Sequence, residues 1–124
     1  MKIWLDDERD PENQDWWIEF PQLYRRGWTW VKTVPEAKDL ILQGGITFIS
    51  FDNDLGLPEE GRHLANWIEE KAYFKEIPKM GWEVHSKNSV ASPLIEKAMT
   101  NADQYWDREA SSANWFKLSK KSGF

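Results

Sequence analysis

Apolar residues along this chain gather in short β-prone runs, and three of these runs break off at polar residues. Ile3-Trp4-Leu5 ends in Asp6-Asp7-Glu8-Arg9-Asp10-Pro11. Ile46 to Phe51 is nearly continuous in apolar character and stops at Asp52-Asn53-Asp54-Leu55-Gly56, as a strand covered on both faces would. Trp82 to Ser86 alternates strictly, with Trp82, Val84 and Ser86 on one side and Glu83 and His85 on the other. Trp28 to Val34 predicts a further strand, Trp28, Trp30 and Lys32 on one face and Thr29, Val31 and Thr33 on the other.

Helical spacing fills the intervals. Pro35 sits in a first turn, where its missing donor costs nothing, Ala37, Leu40 and Ile41 share a face, and Gly44-Gly45 ends the helix. Leu57 to Gly61 predicts a turn, followed by a helix over about 61–74 with Leu64, Ala65, Ile68 and Ala72 inward. Ser92, as cap, and Pro93 open another helix, whose stripe is Leu94, Ile95, Ala98, Met99, Ala102, Tyr105 and Trp106. Glu12 to Gly27, interrupted by Pro21, reads as an irregular segment with a short helix. Beyond Ala110 the pattern weakens. Trp115, Phe116 and Leu118 predict a short edge strand, and Lys117, Lys120 and Lys121 make a locally basic tail.

Strands alternating with helices predict βαβ units, a mainly parallel central sheet and a three-layer α/β sandwich. The alternative is a small α+β domain with a mixed sheet, because two connections are irregular. Residues 1–124 read as a single domain, without internal repeats, low-complexity segments or a linker.

Charge and composition narrow the function classes. A net charge of −5 disfavours wrapping duplex DNA, which needs clustered Lys and Arg. A nucleotide, a nucleic-acid end or a metal that brings its own positive charge stays compatible. The absence of Cys excludes thiolate chemistry, disulfides and a cysteine zinc site, and it agrees with a cytoplasmic setting. Neither a signal peptide nor a membrane-length apolar run is visible. Nine Trp residues are expected mainly in the core or walls, with base stacking as the rival role.

Open parallel sheets bind ligands at the carboxyl ends of their strands. Asp6, Asp7, Asp52 and Asp54 all follow predicted strands, so adjacent strands would bring them together as oxygen ligands for a hard divalent cation such as Mg²⁺. The plainer alternative is that they shape turns and cap helices. His85 would reach the same edge as general acid or base, with Ser86 and Asn88 donating to phosphoryl oxygens; the alternative is a histidine satisfied by a neighbouring carboxylate. Arg9 offers a bidentate phosphate clamp, and His63 lies in a first helical turn that favours anions, though a surface role fits it equally.

The three segments 4–11, 49–56 and 84–88 together resemble the signatures of the cyclic-phosphate-processing receiver-like domains, relatives of response-regulator receivers. The resemblance covers about residues 1–106. It implies a receiver-like, flavodoxin-like α/β sandwich and a role on cyclic or terminal phosphates, in settings linked to RNA end repair. It matches Asp6 and Asp7 to the acidic pair that holds Mg²⁺ in ordinary receivers, and Asp52 or Asp54 to the phosphoacceptor region. It matches His85, Ser86 and Asn88 to the third motif. The family commonly has His where this chain has Asn53, and Pro where it has Ser89. Only Lys117 offers a counterpart of the receiver's fifth-strand lysine.

The leading expectation is therefore a metal-assisted phosphoesterase for a cyclic phosphate or terminal phosphate of RNA or a nucleotide. In it Asp6, Asp7 and Asp52 hold Mg²⁺, and His85 and Asp54 do the chemistry. Arg9, Ser86, Asn88 and His63 bind substrate. The rivals are a degenerate receiver that binds a nucleotide or a protein without catalysis, and a true phosphoacceptor receiver. No membrane partner is expected, and the sequence leaves the oligomeric state open.

Overall fold

The computed structural model describes residues 1–12 and 27–121, with side chains given up to residue 108. The predicted short helix within 12–27 lies mostly outside the described residues. Among these residues four short strands form one sheet: β1 (Lys2–Leu5), β2 (Trp28–Val31), β3 (Phe48–Phe51) and β4 (Gly81–Val84). Their order is β2-β1-β3-β4 and every pairing is parallel, which replaces the mixed-sheet alternative. Among the described residues, three helices follow strands in turn: α1 (Val34–Gln43), α2 (Gly61–Tyr73) and α3 (Ala91–Lys121). This is a receiver-like α/β fold of the flavodoxin type.

The two sheet faces differ in chemistry because side chains alternate along each strand. Ile3, Leu5, Val31, Ile49 and Phe51 point to the aliphatic core. There they meet Val34, Ala37 and Ile41 of α1, Leu64, Ala65, Ile68 and Ala72 of α2, and Ile95, Ala98, Met99, Ala102 and Trp106 of α3. The opposite parity puts Trp4, Ser50 and Glu83 on the other face. Trp4 and Ser50 are completely buried there.

Local signals explain the helix ends. Thr33 accepts the Glu36 N–H and so caps α1, with Pro35 in its first turn. α2 begins at Gly61, where an added Cβ would overlap the carbonyl oxygen of Asp52. At α3 the predicted cap is corrected: Asn88 Oδ1 accepts the N–H groups of Val90 and Ala91, and Ser92 Oγ donates to the Ser86 carbonyl instead. Leu94 is also corrected, being 47% exposed while Ala91 and Ile95 are buried. The predicted edge strand over 115–118 is not formed, because α3 runs on to Lys121. No Gly or Pro falls between Leu94 and Lys121 to stop it. Lys117 therefore lies in a helix, not at a strand end.

Candidate metal and phosphate site

The last paired row of the sheet is Val31, Leu5, Phe51 and Val84. Backbone bonds carry the ladders one residue further: Asp6 N donates to Val31 O, Asp52 N to Leu5 O and His85 N to Phe51 O. Asp6, Asp52 and His85 thus emerge side by side at the carboxyl edge. The strand order reverses direction between β1 and β3, and such a switch point is where open α/β sheets bind ligands.

Asp6, Asp7 and Asp52 each present an oxygen within 4.8 Å of the others. Asp6 and Asp52 are buried and Asp7 is partly buried. The loop that carries Asp6 and Asp7 is pinned by side chains and backbone together. Asp6 Oδ1 accepts the N–H groups of Glu8 (2.9 Å) and Arg9 (2.8 Å). Trp4 Nε1 donates to Arg9 O and Trp30 Nε1 to Asp6 O. After β3 comes Gly56, whose φ of +67° suits glycine and where an added Cβ would lie 3.5 Å from Asp7 Oδ2.

His85 lies behind Asp6 and not in the open cleft. Its ring is 1% exposed and stacks on Trp4, with centroids 3.8 Å apart and planes 6° from parallel. Nε2 is 2.9 Å from Asp6 Oδ2, and Nδ1 is 2.7 Å from Ser50 Oγ. Ser50 stands on β3, between the two outer groups. Its small side chain leaves room for the ring to cross from β4 to β1. Ser50 Oγ is also 3.0 Å from Glu83 Oε2.

Electrostatics follow from this burial. Burial works to raise the Asp6 carboxyl, but hydrogen bonds from His85, Arg9 N–H and Glu8 N–H outweigh it and hold the group below its ordinary value. Asp52 has less support: burial first and the Asp6 charge second push it up to about 6. The Arg9 guanidinium opposes that rise and also reaches the His85 carbonyl at 3.4 Å. Burial likewise pushes His85 down, against the pull of Asp6. Two buried carboxylates side by side form a site short of positive charge, and three hard oxygen donors suit Mg²⁺ or a similar cation.

The remaining predicted residues separate into two groups. Asp54 is exposed at the edge, its Oδ1 accepting amide N–H groups from Asn53 (2.9 Å) and Asn88 (3.0 Å). Ser86 Oγ accepts the Asn88 N–H, so Ser86 and Asn88 build the turn that holds Asp54. His63 stands apart from the acids. Its Nδ1 accepts the Glu60 N–H at the start of α2, and its ring lines a groove with Arg62, Asn66, Lys97 and Asn101. The described tryptophans are all at least half-buried, consistent with packing roles.

Three contributors escaped the sequence reading, Ser50, Glu83 and Trp30, while Asn53 was singled out only as the position where the family commonly has His. Asn53 is 1% exposed, and its Oδ1 accepts the Arg62 N–H, which ties β3 to α2. A polar residue inside a strand run was the available signal for Ser50. The others carried none.

Residues 1–101 match the family model described as cyclic-phosphate processing receiver domain. The same chain gives no match among curated proteins or solved structures.

Proposed function

Because this chain belongs to the cyclic-phosphate processing receiver family, we propose that it is a metal-assisted phosphoesterase for a cyclic phosphate or a terminal phosphate of RNA or a nucleotide. The observation that carries this reading is the cluster of buried Asp6 and Asp52 with partly buried Asp7 at the β1/β3 switch point. These three residues would hold the cation, for which Mg²⁺ fits the hard oxygen donors. Once bound, such a cation supplies Lewis-acid neutralisation of phosphoryl charge. Asp54, fixed by two amides beside the cluster, orients a water or an attacking hydroxyl. Arg9, next to Asp52, binds phosphoryl oxygen and offsets the charge that grows during transfer. His85 serves through Asp6, which it orients and whose proton balance it shares.

The burial of His85 and the committed amide at Asn53 favour a second reading, a receiver that binds a nucleotide or a protein without turning it over. One experiment separates the two. Mg²⁺ and Mn²⁺ are crossed against 2′,3′-cyclic and 3′,5′-cyclic nucleotides and a cyclic-phosphate-ended oligonucleotide, with products resolved by chromatography. The phosphoesterase gives metal-dependent product that Asp52→Asn abolishes. Binding with intact ligand supports the second reading and sinks the first.

A further inference from the structure

Between α2 and α3 lies a groove of about 340 Å³ that the acidic cluster does not use. Arg62, His63, Asn66 and Lys97 line it near the helix starts, and Glu69 and Asn101 line its far end. Its mouth is tied to the carboxyl edge. Gly61 N donates to Asn53 O, and Asn53 Oδ1 accepts the Arg62 N–H. Asn88 both caps α3 and holds Asp54. Asn66 follows Gly61 by five residues, which places it about 8 Å along the α2 axis from the residue packed on Asp52.

The chemistry at the near end is one-sided. His63 Nδ1 accepts the Glu60 N–H, so the proton of the neutral ring lies on Nε2. Among the described residues, that Nε2, the Asn66 amide and the Lys97 ammonium have no protein partner. Arg62 meets Glu60 at 3.4 Å, a part-exposed contact that holds little and leaves further guanidinium donors to a ligand. The acid that lines the groove, Glu69, is engaged at the far end by Asn101 Nδ2 at 2.8 Å. Two cations and two neutral donors therefore border one space, in a chain whose net charge is −5. Donors converging from two helices suit phosphate oxygens.

We propose that the near end of this groove is a second phosphate subsite. The protein then prefers a substrate with two phosphates, one at the acidic cluster and one at Arg62, His63, Asn66 and Lys97. The subsite stands on the groove itself, whereas its link to a substrate rests on the function proposed above. The second phosphate comes from the 5′ end of the same nucleotide or from the adjoining diester of a strand.

Inorganic phosphate tests the subsite alone. Nitrogen-15 NMR in EDTA follows the His63 ring and the Asn66 side-chain amide, and both should shift as phosphate is added. Lys97→Glu should weaken that response about tenfold, the worth of one hydrogen bond to a charged group. Lys79→Glu reverses a lysine that pairs with Asp107 at the amino edge of the sheet, and it should respond as the wild-type protein does. Calorimetry with Mg²⁺ then compares a 2′,3′-cyclic nucleotide bearing a 5′-hydroxyl, the same nucleotide bearing a 5′-phosphate, and a dinucleotide with a 5′-hydroxyl and a cyclic-phosphate end. A gain of about tenfold over the first ligand, lost in Lys97→Glu, is expected. Gain in the second ligand assigns the 5′-phosphate, and gain in the third alone assigns the diester. Silent His63 and Asn66 signals, an undiminished response in Lys97→Glu, or equal affinity for all three ligands would each overturn the proposal. If the phosphate response and the two-phosphate preference hold while chromatography finds no product, the phosphoesterase reading falls and the subsite stands.

Discussion

Asn88 shows how much one side chain can carry. Its oxygen caps α3 through two N–H groups, and its amide nitrogen holds Asp54. Asn88→Ala should cost about 1–2 kcal/mol in urea unfolding, the range for losing a cap. Asp54→Ala removes the tether and the exposed Asn53 amide contact but leaves the cap, so it should cost less. Equal losses would mean that the cap contributes nothing. The sequence made Asn88 a phosphate ligand and gave the cap to Ser92, because Ser-Pro before an apolar stripe is the stronger local signal. His85 was legible as a residue near the edge, but its depth behind Asp6 was not. That depth depends on a small residue at position 50 of a neighbouring strand. Glu83 was placed with His85 on one side of an alternating strand, and nothing local marks it as a half-buried carboxyl facing Ser50.

At the scale of elements, two glycines set how closely neighbours approach. A Cβ on Gly61 would overlap the backbone of Asp52 and lie 2.9 Å from Asn53 Cα. Backbone cannot rotate away, so Gly61→Ala should cost about 3 kcal/mol, the upper end for overpacking, and should loosen the Asp52 end of the cluster. A Cβ on Gly81 would lie 2.6 Å from Phe48 Cδ2. Phe48 is half-buried and its ring can turn, so Gly81→Ala should cost about 1 kcal/mol. Urea unfolding of both variants checks the order. A smaller loss in Gly61→Ala would show that α2 shifts without penalty. Most element positions were legible, since period-2 runs and the spacing of α1 and α2 are strong patterns. The length of α3 was not, because its apolar stripe fades before the helix does.

For the molecule as a whole, the acidic edge couples stability to pH and to cations. Asp52 has a folded value of about 6 against an ordinary 3.8. Folding therefore favours its protonated form. That contribution is complete below about pH 4 and is lost as pH rises to about 6, amounting to about 2–3 kcal/mol. Asp6 shifts the other way, so its contribution is present above its unfolded value and lost only in stronger acid. Cation-free wild-type protein should lose stability relative to Asp52→Asn across that window, as urea unfolding at several pH values would show. Mg²⁺ at about a hundred times its dissociation constant should restore about 2.7 kcal/mol to the wild-type protein and nothing to Asp52→Asn. A parallel difference at every pH would refute the assignment to Asp52. The parallel sheet was legible from alternating elements, whereas the adjacency of β1 and β3 follows from crossovers that no local pattern records. Among the described residues, no helix is long and apolar enough to cross a membrane.

The central place of β1 has a consequence for how the chain comes into being. Lys2 pairs with Trp28 on one side and with Phe48 on the other, and Phe48 in turn pairs with Gly81. The first of the four described strands to be synthesised thus waits for the third before it is paired on both sides, and contacts so distant along the chain slow folding. Until β3 has been made, Asp6 and Asp7 have no Asp52 to meet. Until β4 follows, Asp6 has no His85 behind it. A nascent chain therefore gathers the site in two stages: the three carboxylates when β3 joins β1, and His85 when β4 joins β3.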